Sequence, residues 1–154
     1  MTPEVMAGRP ASYDHGRMHT LARSWIDDVL AGSPVARALG IEVVAAAPEE
    51  VILRLPFRDD LTTVPGVLHG GVVATLVDVA GAAASASGLT PGDAATGGAT
   101  TQLDVSYAGA AGSDLTATAT VLRRTRSATH SQVVVRDLGG EVVALAQVTS
   151  RIFH

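Results

Sequence analysis

The 154-residue chain has no cysteine and no lysine, and only 3% of its residues are aromatic. Without thiols it can form neither a disulfide framework nor a thiolate zinc site, and it has no cysteine nucleophile. With one Trp, two Tyr and two Phe, the core must be built from Ala, Val and Leu. Such a core lets backbones approach closely, as in a sheet packed tightly on a helix. All 11 basic residues are arginine against 15 acidic ones, a net charge of -4. An acidic chain lacks the electrostatic footprint for duplex nucleic acid, so no nucleic-acid partner is expected. An anionic ligand would have to be held by a local arginine group.

Long uninterrupted apolar runs are also missing. The best 18-residue candidate, residues 70–87, contains Asp78, so no membrane span is expected. The first residues lack a charged segment followed by an apolar one, so no signal peptide is read and a cytoplasmic location is the expectation. No Gly-x-Ser-x-Gly elbow occurs, which argues against an α/β-hydrolase. The Gly97–Thr101 run has no lysine and is no phosphate loop. His15 and His19 are four apart but have no third ligand nearby, so neither a metal nor a cofactor is expected.

With 47% apolar and 17% charged residues, the length suits one globular domain. Residues 1–19 are polar, broken by proline and glycine, and expected to be loose; residues 20–154 form the domain. A helical pattern runs from Thr20 through Leu21, Trp25, Ile26, Val29 and Leu30 to Gly32, and a short turn of helix spans Pro34 to Leu39. Ile41–Ala46 and Glu50–Arg58 read as strands, the second alternating Val51, Leu53, Leu55 and Phe57 against Arg54 and Arg58. Residues 59–69 read as a loop. Gly70–Ser87 is apolar on nearly every face, the mark of a buried helix. Four further strands follow at about 98–107, 114–124, 128–137 and 141–152, the last two joined by Leu138-Gly139-Gly140. The expected fold is α+β, with an antiparallel sheet of about six strands wrapped around one long central helix.

Asp78 is the one ionisable residue between Gly70 and Gly92. A carboxylate on a helix that must be buried costs several kcal/mol unless it is paired. It is therefore a candidate catalytic acid, although a buried structural aspartate fits the helix pattern as well. His69-Gly70-Gly71 opens the same helix, where backbone N–H groups lack intrahelical partners. Glycine lets a ligand atom come close to those donors, which could hold a carbonyl oxygen that becomes negative during acyl transfer. His69 and Asp78 are nine residues apart, roughly 13 Å of helical rise. One helix cannot bring both ends onto one reacting carbon, so a homodimer with sites at its interface is expected.

The run Val67-Leu68-His69-Gly70-Gly71-Val72-Val73-Ala74-Thr75-Leu76-Val77-Asp78 resembles the signature of the PaaI-like branch of hotdog-fold thioesterases. Ser33-Pro34, Leu39-Gly40-Ile41-Glu42-Val43, the strand Thr100–Tyr107 and the hairpin Gly139–Ala144 resemble that family in the same order, so the likeness spans about residues 33–152. The resemblance implies an acyl-CoA thioesterase acting on aryl-acyl groups such as phenylacetyl, or on medium-chain ones. It implies Asp78 as nucleophile or general base, the Gly70 N–H as oxyanion donor, His69 beside the thioester, Gly71 against the substrate, and Thr100 bonding the acid or the water. Where the family often has an asparagine, this chain has Thr63. Arg123, Arg124 and Arg126 fall where the family borders the coenzyme A phosphates, and the planar guanidinium suits phosphate. The family commonly assembles dimers into homotetramers. Two alternatives stay open: a hotdog-fold hydratase or dehydratase using a His–acid pair, and a non-catalytic acyl-CoA-binding module.

Overall fold

The computed structural model describes residues 17–154. Most of the N-terminal segment expected to be loose, with His15, lies outside the described residues. Helix α1 (Thr20–Ser24) begins at His19, whose side chain accepts from the Leu21 N–H. The sequence predicts that this helix continues unchanged to Gly32. Instead it widens into a π-helix over Trp25–Leu30, closed by an Ala31 N–H to Ile26 carbonyl bond of 2.8 Å. Gly32 permits the tight exit, since a Cβ there would lie 2.5 Å from the Asp27 carbonyl oxygen. Helix α2 (Pro34–Leu39) follows, capped by Ser33 and ended by Gly40 at φ 78°.

Strands β1 (Glu42–Ala47) and β2 (Glu50–Leu55) come next. The second stops three residues short of the expected Arg58, at Pro56, which has no N–H for the ladder. Residues 59–69, expected as plain loop, hold a 3₁₀ turn (Asp59–Leu61) and a small hairpin of β3 (Thr62–Val64) and β4 (Val67–Leu68). The long helix α3 covers Gly70–Ser87, as the apolar pattern predicts. Four strands complete the chain: β5 (Gly97–Tyr107), β6 (Leu115–Arg124), β7 (Ala128–Arg136) and β8 (Val142–Phe153).

The main sheet is fully antiparallel, in the order β1-β2-β6-β7-β8-β5. Its inner face closes over α3. Val51, Leu53 and Leu55 of β2, Leu115, Ala117 and Ala119 of β6, and Val133 and Val135 of β7 meet Val73, Leu76, Val77 and Ala80 of the helix, all buried. Alternation in β2 puts its apolar set inward, so the strand period and the helix face agree. The scarcity of aromatics has the expected result. Helix and sheet sit so close that a Cβ on Gly81 would lie 2.6 Å from the Val148 side chain. By length and composition alone α3 could cross a membrane, even with Asp78 in it, contrary to the sequence expectation. Here, however, it is the core helix of the sheet.

Two β-bulges re-aim side chains. In β5, Leu103, Val105 and Tyr107 face inward opposite Val148, Ala146 and Ala144. The register slips between Thr100 and Gln102, and Thr100 then comes opposite the inward-facing Ser150. A second slip, between Val121 and Arg123 in β6, turns Arg124 onto the inner face opposite Thr129.

Candidate active site

The β3–β4 hairpin turns at Pro65-Gly66, with Gly66 at φ 81°, and delivers His69 to the head of α3. The Leu68 N–H donates to the Ala111 carbonyl and the His69 N–H to the Leu61 carbonyl, both at 2.8 Å, so the approach to the helix is held from two sides. His69 is the N-cap residue. Its Nδ1 accepts from the Gly71 N–H at 2.8 Å. That bond occupies the Nδ1 lone pair and leaves Nε2 to face outward. It also engages the Gly71 N–H, while the Val72 and Val73 N–H groups both reach the His69 carbonyl. Among the described residues no partner is found for the Gly70 N–H, the first donor of the helix.

Tyr107, at the end of β5, donates from its hydroxyl to the Gly70 carbonyl at 2.7 Å. Sequence reading did not single it out. Its signal was its inward parity at the end of the strand. The bond ties the first turn of α3 to the sheet.

Two turns along the helix, Asp78 is half-buried and accepts from the Thr100 hydroxyl at 2.6 Å. The family resemblance implies that Thr100 bonds the acid or the water, and the structure has it on the acid, at the edge of an opening. One carboxylate oxygen is held by Thr100, and among the described residues no hydrogen-bond partner is found for the other. Asp78 and Thr100 stand in the wall of a cavity of about 530 Å³ between α3, the π-helix and the start of β5. Trp25, Leu30, Val79, Ala82, Leu89 and Ile152 make its lining mostly apolar. Gly70 and Asp78 belong to one unbroken helix, eight residues and about 12 Å apart along it.

The remaining candidates separate. Thr63 is exposed on β3, and no hydrogen bond joins it to Asp78 or Thr100 among the described residues. Arg124 is committed inside the fold. It pairs with Glu49 at 2.9 Å and donates to the Ala84 and Ser85 carbonyls, capping the end of α3 with positive charge. Glu49 itself sits at φ 71°, rare for a residue with a side chain, and its N–H is held by the Ser87 hydroxyl at 2.9 Å. Arg123 and Arg126 are exposed; Arg126 lines a second cavity of about 680 Å³ with Arg17, His19 and Arg124. Among the described residues no cluster of three His, Asp or Glu side chains could hold a metal ion.

The thioesterase superfamily matches residues 65–144, from the hairpin turn before His69 to β8. A Halobacterium salinarum protein provisionally named an esterase is 38% identical over 114 residues, 72% of each chain. Human acyl-coenzyme A thioesterase 13 is 30% identical over 120 residues, 75% of this chain and 83% of that protein. In three dimensions the Escherichia coli PaaI protein, from the phenylacetic acid degradation operon, aligns at a TM-score of 0.78 and 19% identity, covering 90% of this chain and 97% of PaaI. That likeness speaks for the shared fold. With a six-stranded antiparallel sheet around one long helix and these matches, the chain belongs to the thioesterase superfamily of hotdog fold and is a thioester hydrolase.

Proposed function

We propose that this protein hydrolyses acyl-CoA thioesters to a free acid and coenzyme A, with Asp78 as its catalytic carboxylate. The observation that carries the proposal is the Thr100-to-Asp78 hydrogen bond in the wall of a mainly apolar cavity. A carboxylate fixed by one oxygen, beside a space fit for an acyl group, is arranged to activate water or to attack a carbonyl. The 30% identity to human acyl-coenzyme A thioesterase 13 supports coenzyme A as the leaving group. The apolar lining and the volume suit aryl-acyl or medium-chain groups.

In this reading water adds to the thioester carbon as its proton passes to Asp78. The carbonyl oxygen, turning negative, is met by the bare Gly70 N–H. The C–S bond then breaks, and the thiolate receives the proton from Asp78. A thiol of ordinary pKa near 8.5 leaves readily, so no strong acid is required. If Asp78 attacks directly instead, an anhydride forms and water opens it. Single turnover in ¹⁸O-water separates the routes, because only the anhydride route can put label into the Asp78 side chain.

Because Gly70 and Asp78 are about 12 Å apart on one rod, the working unit is a homodimer in which each site joins Asp78 of one chain to Gly70 of the other. The long outer strand β5 has a neighbour on one side only, which leaves an edge for such pairing. Arg123 and Arg126 are the arginines we assign to the coenzyme A phosphates, since Arg124 is occupied. The hydratase alternative needs His69 as an acid–base partner, and the Gly71 N–H already uses one of its ring nitrogens. The test is turnover of a CoA panel containing phenylacetyl, hexanoyl and octanoyl thioesters. Wild type is expected to release free thiol, and Asp78→Ala to lose about 10²–10⁴-fold in kcat. Equal turnover by both would remove Asp78 from the chemistry.

A further inference from the structure

Among the described residues, two buried side-chain oxygens lack any hydrogen-bond partner, Ser131 Oγ and Ser150 Oγ. Of the pair, Ser150 lines the cavity that also contains Asp78 and Thr100. Ser150 is 5% exposed, so its hydroxyl is cut off from bulk solvent. Leaving a buried hydroxyl unpaired costs on the order of 1–3 kcal/mol. Alanine would fill the same place on β8 without that cost. The neighbouring hydroxyl of Thr100 is committed to Asp78, and that of Thr129, on the other side of Ser150, faces the Arg124 guanidinium. Of the cavity-lining residues close by in the chain, Gly98, Ala99 and Ile152 offer no polar side chain, and Thr96 and Arg151, which also line the cavity, give the Ser150 hydroxyl no hydrogen bond.

The position of Ser150 is fixed relative to the reacting centre. It is directly opposite Thr100 across the β5–β8 ladder, which sets their Cβ atoms about 4.5–5.5 Å apart. Thr100 in turn touches the carboxylate. An acyl group whose carbonyl is presented to Asp78 therefore has Ser150 within reach of its first few carbons.

We propose that Ser150 is a specificity-determining residue, donating a hydrogen bond to an oxygen on the third carbon of the acyl group. The favoured substrates are then 3-hydroxyacyl or 3-oxoacyl thioesters, in preference to plain acyl chains of equal length. This inference rests on the thioesterase reading above and adds a substrate class to it. A site built to bond an oxygen rejects the analogue lacking it, because its own polar group is left unpaired.

The experiment compares hexanoyl-, 3-hydroxyhexanoyl-, 3-oxohexanoyl- and 5-hydroxyhexanoyl-CoA with wild type and Ser150→Ala. Wild type is expected to favour at least one 3-oxygenated thioester over hexanoyl-CoA by about tenfold in kcat/KM, the size of one good hydrogen bond. Ser150→Ala is expected to bring that ratio to about one by slowing the 3-oxygenated thioesters, and to melt at or above the wild-type temperature, since it removes an unpaired buried hydroxyl. Which of the two 3-oxygenated thioesters gains identifies the group bonded. A wild-type preference for the 5-hydroxy compound, an unchanged ratio in the variant, or equal slowing of all four substrates overturns the role of Ser150 and leaves the thioesterase reading standing. No hydrolysis of any thioester by wild type overturns both.

Discussion

Arg124 shows how one side chain can be taken from one job by another. Its motif position suggests phosphate, yet all of its nitrogens are used on Glu49, two carbonyls of α3 and the Thr129 hydroxyl. The pair is mostly shielded, with side-chain exposures of 15% and 33%. Removing one partner leaves the other charge poorly solvated and frees two helix-end carbonyls. Arg124→Ala is accordingly expected to lower unfolding free energy by about 2–4 kcal/mol in urea titration. Arg126→Ala is expected to leave stability within about 0.5 kcal/mol of wild type and to raise KM for CoA thioesters. A stable Arg124→Ala with a raised KM would return that residue to the substrate.

At the scale of the elements, Asp114 links the end of β2 to the start of β6. Its carboxylate accepts from the Phe57 N–H at 2.7 Å and from Arg54 at 2.6 Å. The Phe57 N–H, and after it the Arg54 guanidinium, hold this carboxyl below its ordinary range. A lowered folded-state value means the contribution is complete above the unfolded value of about 3.9 and is lost as pH falls through the folded value. Urea midpoints measured from pH 7 down to pH 2 should therefore fall at the acid end. Asp114→Asn should be less stable at pH 7 and show a shallower fall; parallel curves would mean the link contributes nothing.

The elements also show what could be read beforehand. The six long strands and the span of α3 follow from the period-2 and all-apolar patterns, because each residue's burial is set by its own neighbours in sequence. The bulges could not be read that way. From Tyr107 back through Leu103, alternation alone aims Thr101 inward; one extra residue hands that place to Thr100. The second slip, in β6, likewise hands the inner place to Arg124, not Arg123. A bulge is set by the partner strand, and a single strand's pattern has no record of it. The π-helix is similar, since its apolar residues suit an α-helix equally well. His69, Gly70 and Asp78 were legible because they stand on a regular helix. The pairing of Asp78 with Thr100 came from family resemblance, and Tyr107 and Ser150 were not found.

For the whole molecule, the distance between Gly70 and Asp78 makes a prediction that single-chain kinetics cannot. Proline is favoured at the first position of a helix and lacks only the N–H, so Gly70→Pro should remove the proposed oxyanion donor and keep the fold. Neither Gly70→Pro nor Asp78→Ala alone is expected to turn over substrate. Mixed, unfolded together and refolded at equal ratio, half the dimers carry one chain of each kind. Each such dimer has one complete site, so about a quarter of wild-type activity should return. No recovery, from a mixture of twice the 15.7 kDa chain mass, would confine each site to one chain.

The placement of Trp25 has a practical result. It is the sole indole in the chain and borders the cavity that also holds Asp78. Its emission therefore reads the polarity of that space with no background from elsewhere. Titrating a product acid into the unlabelled protein should shift the fluorescence as solvent leaves the pocket, giving a spectroscopic gauge of occupancy even in variants that no longer turn over.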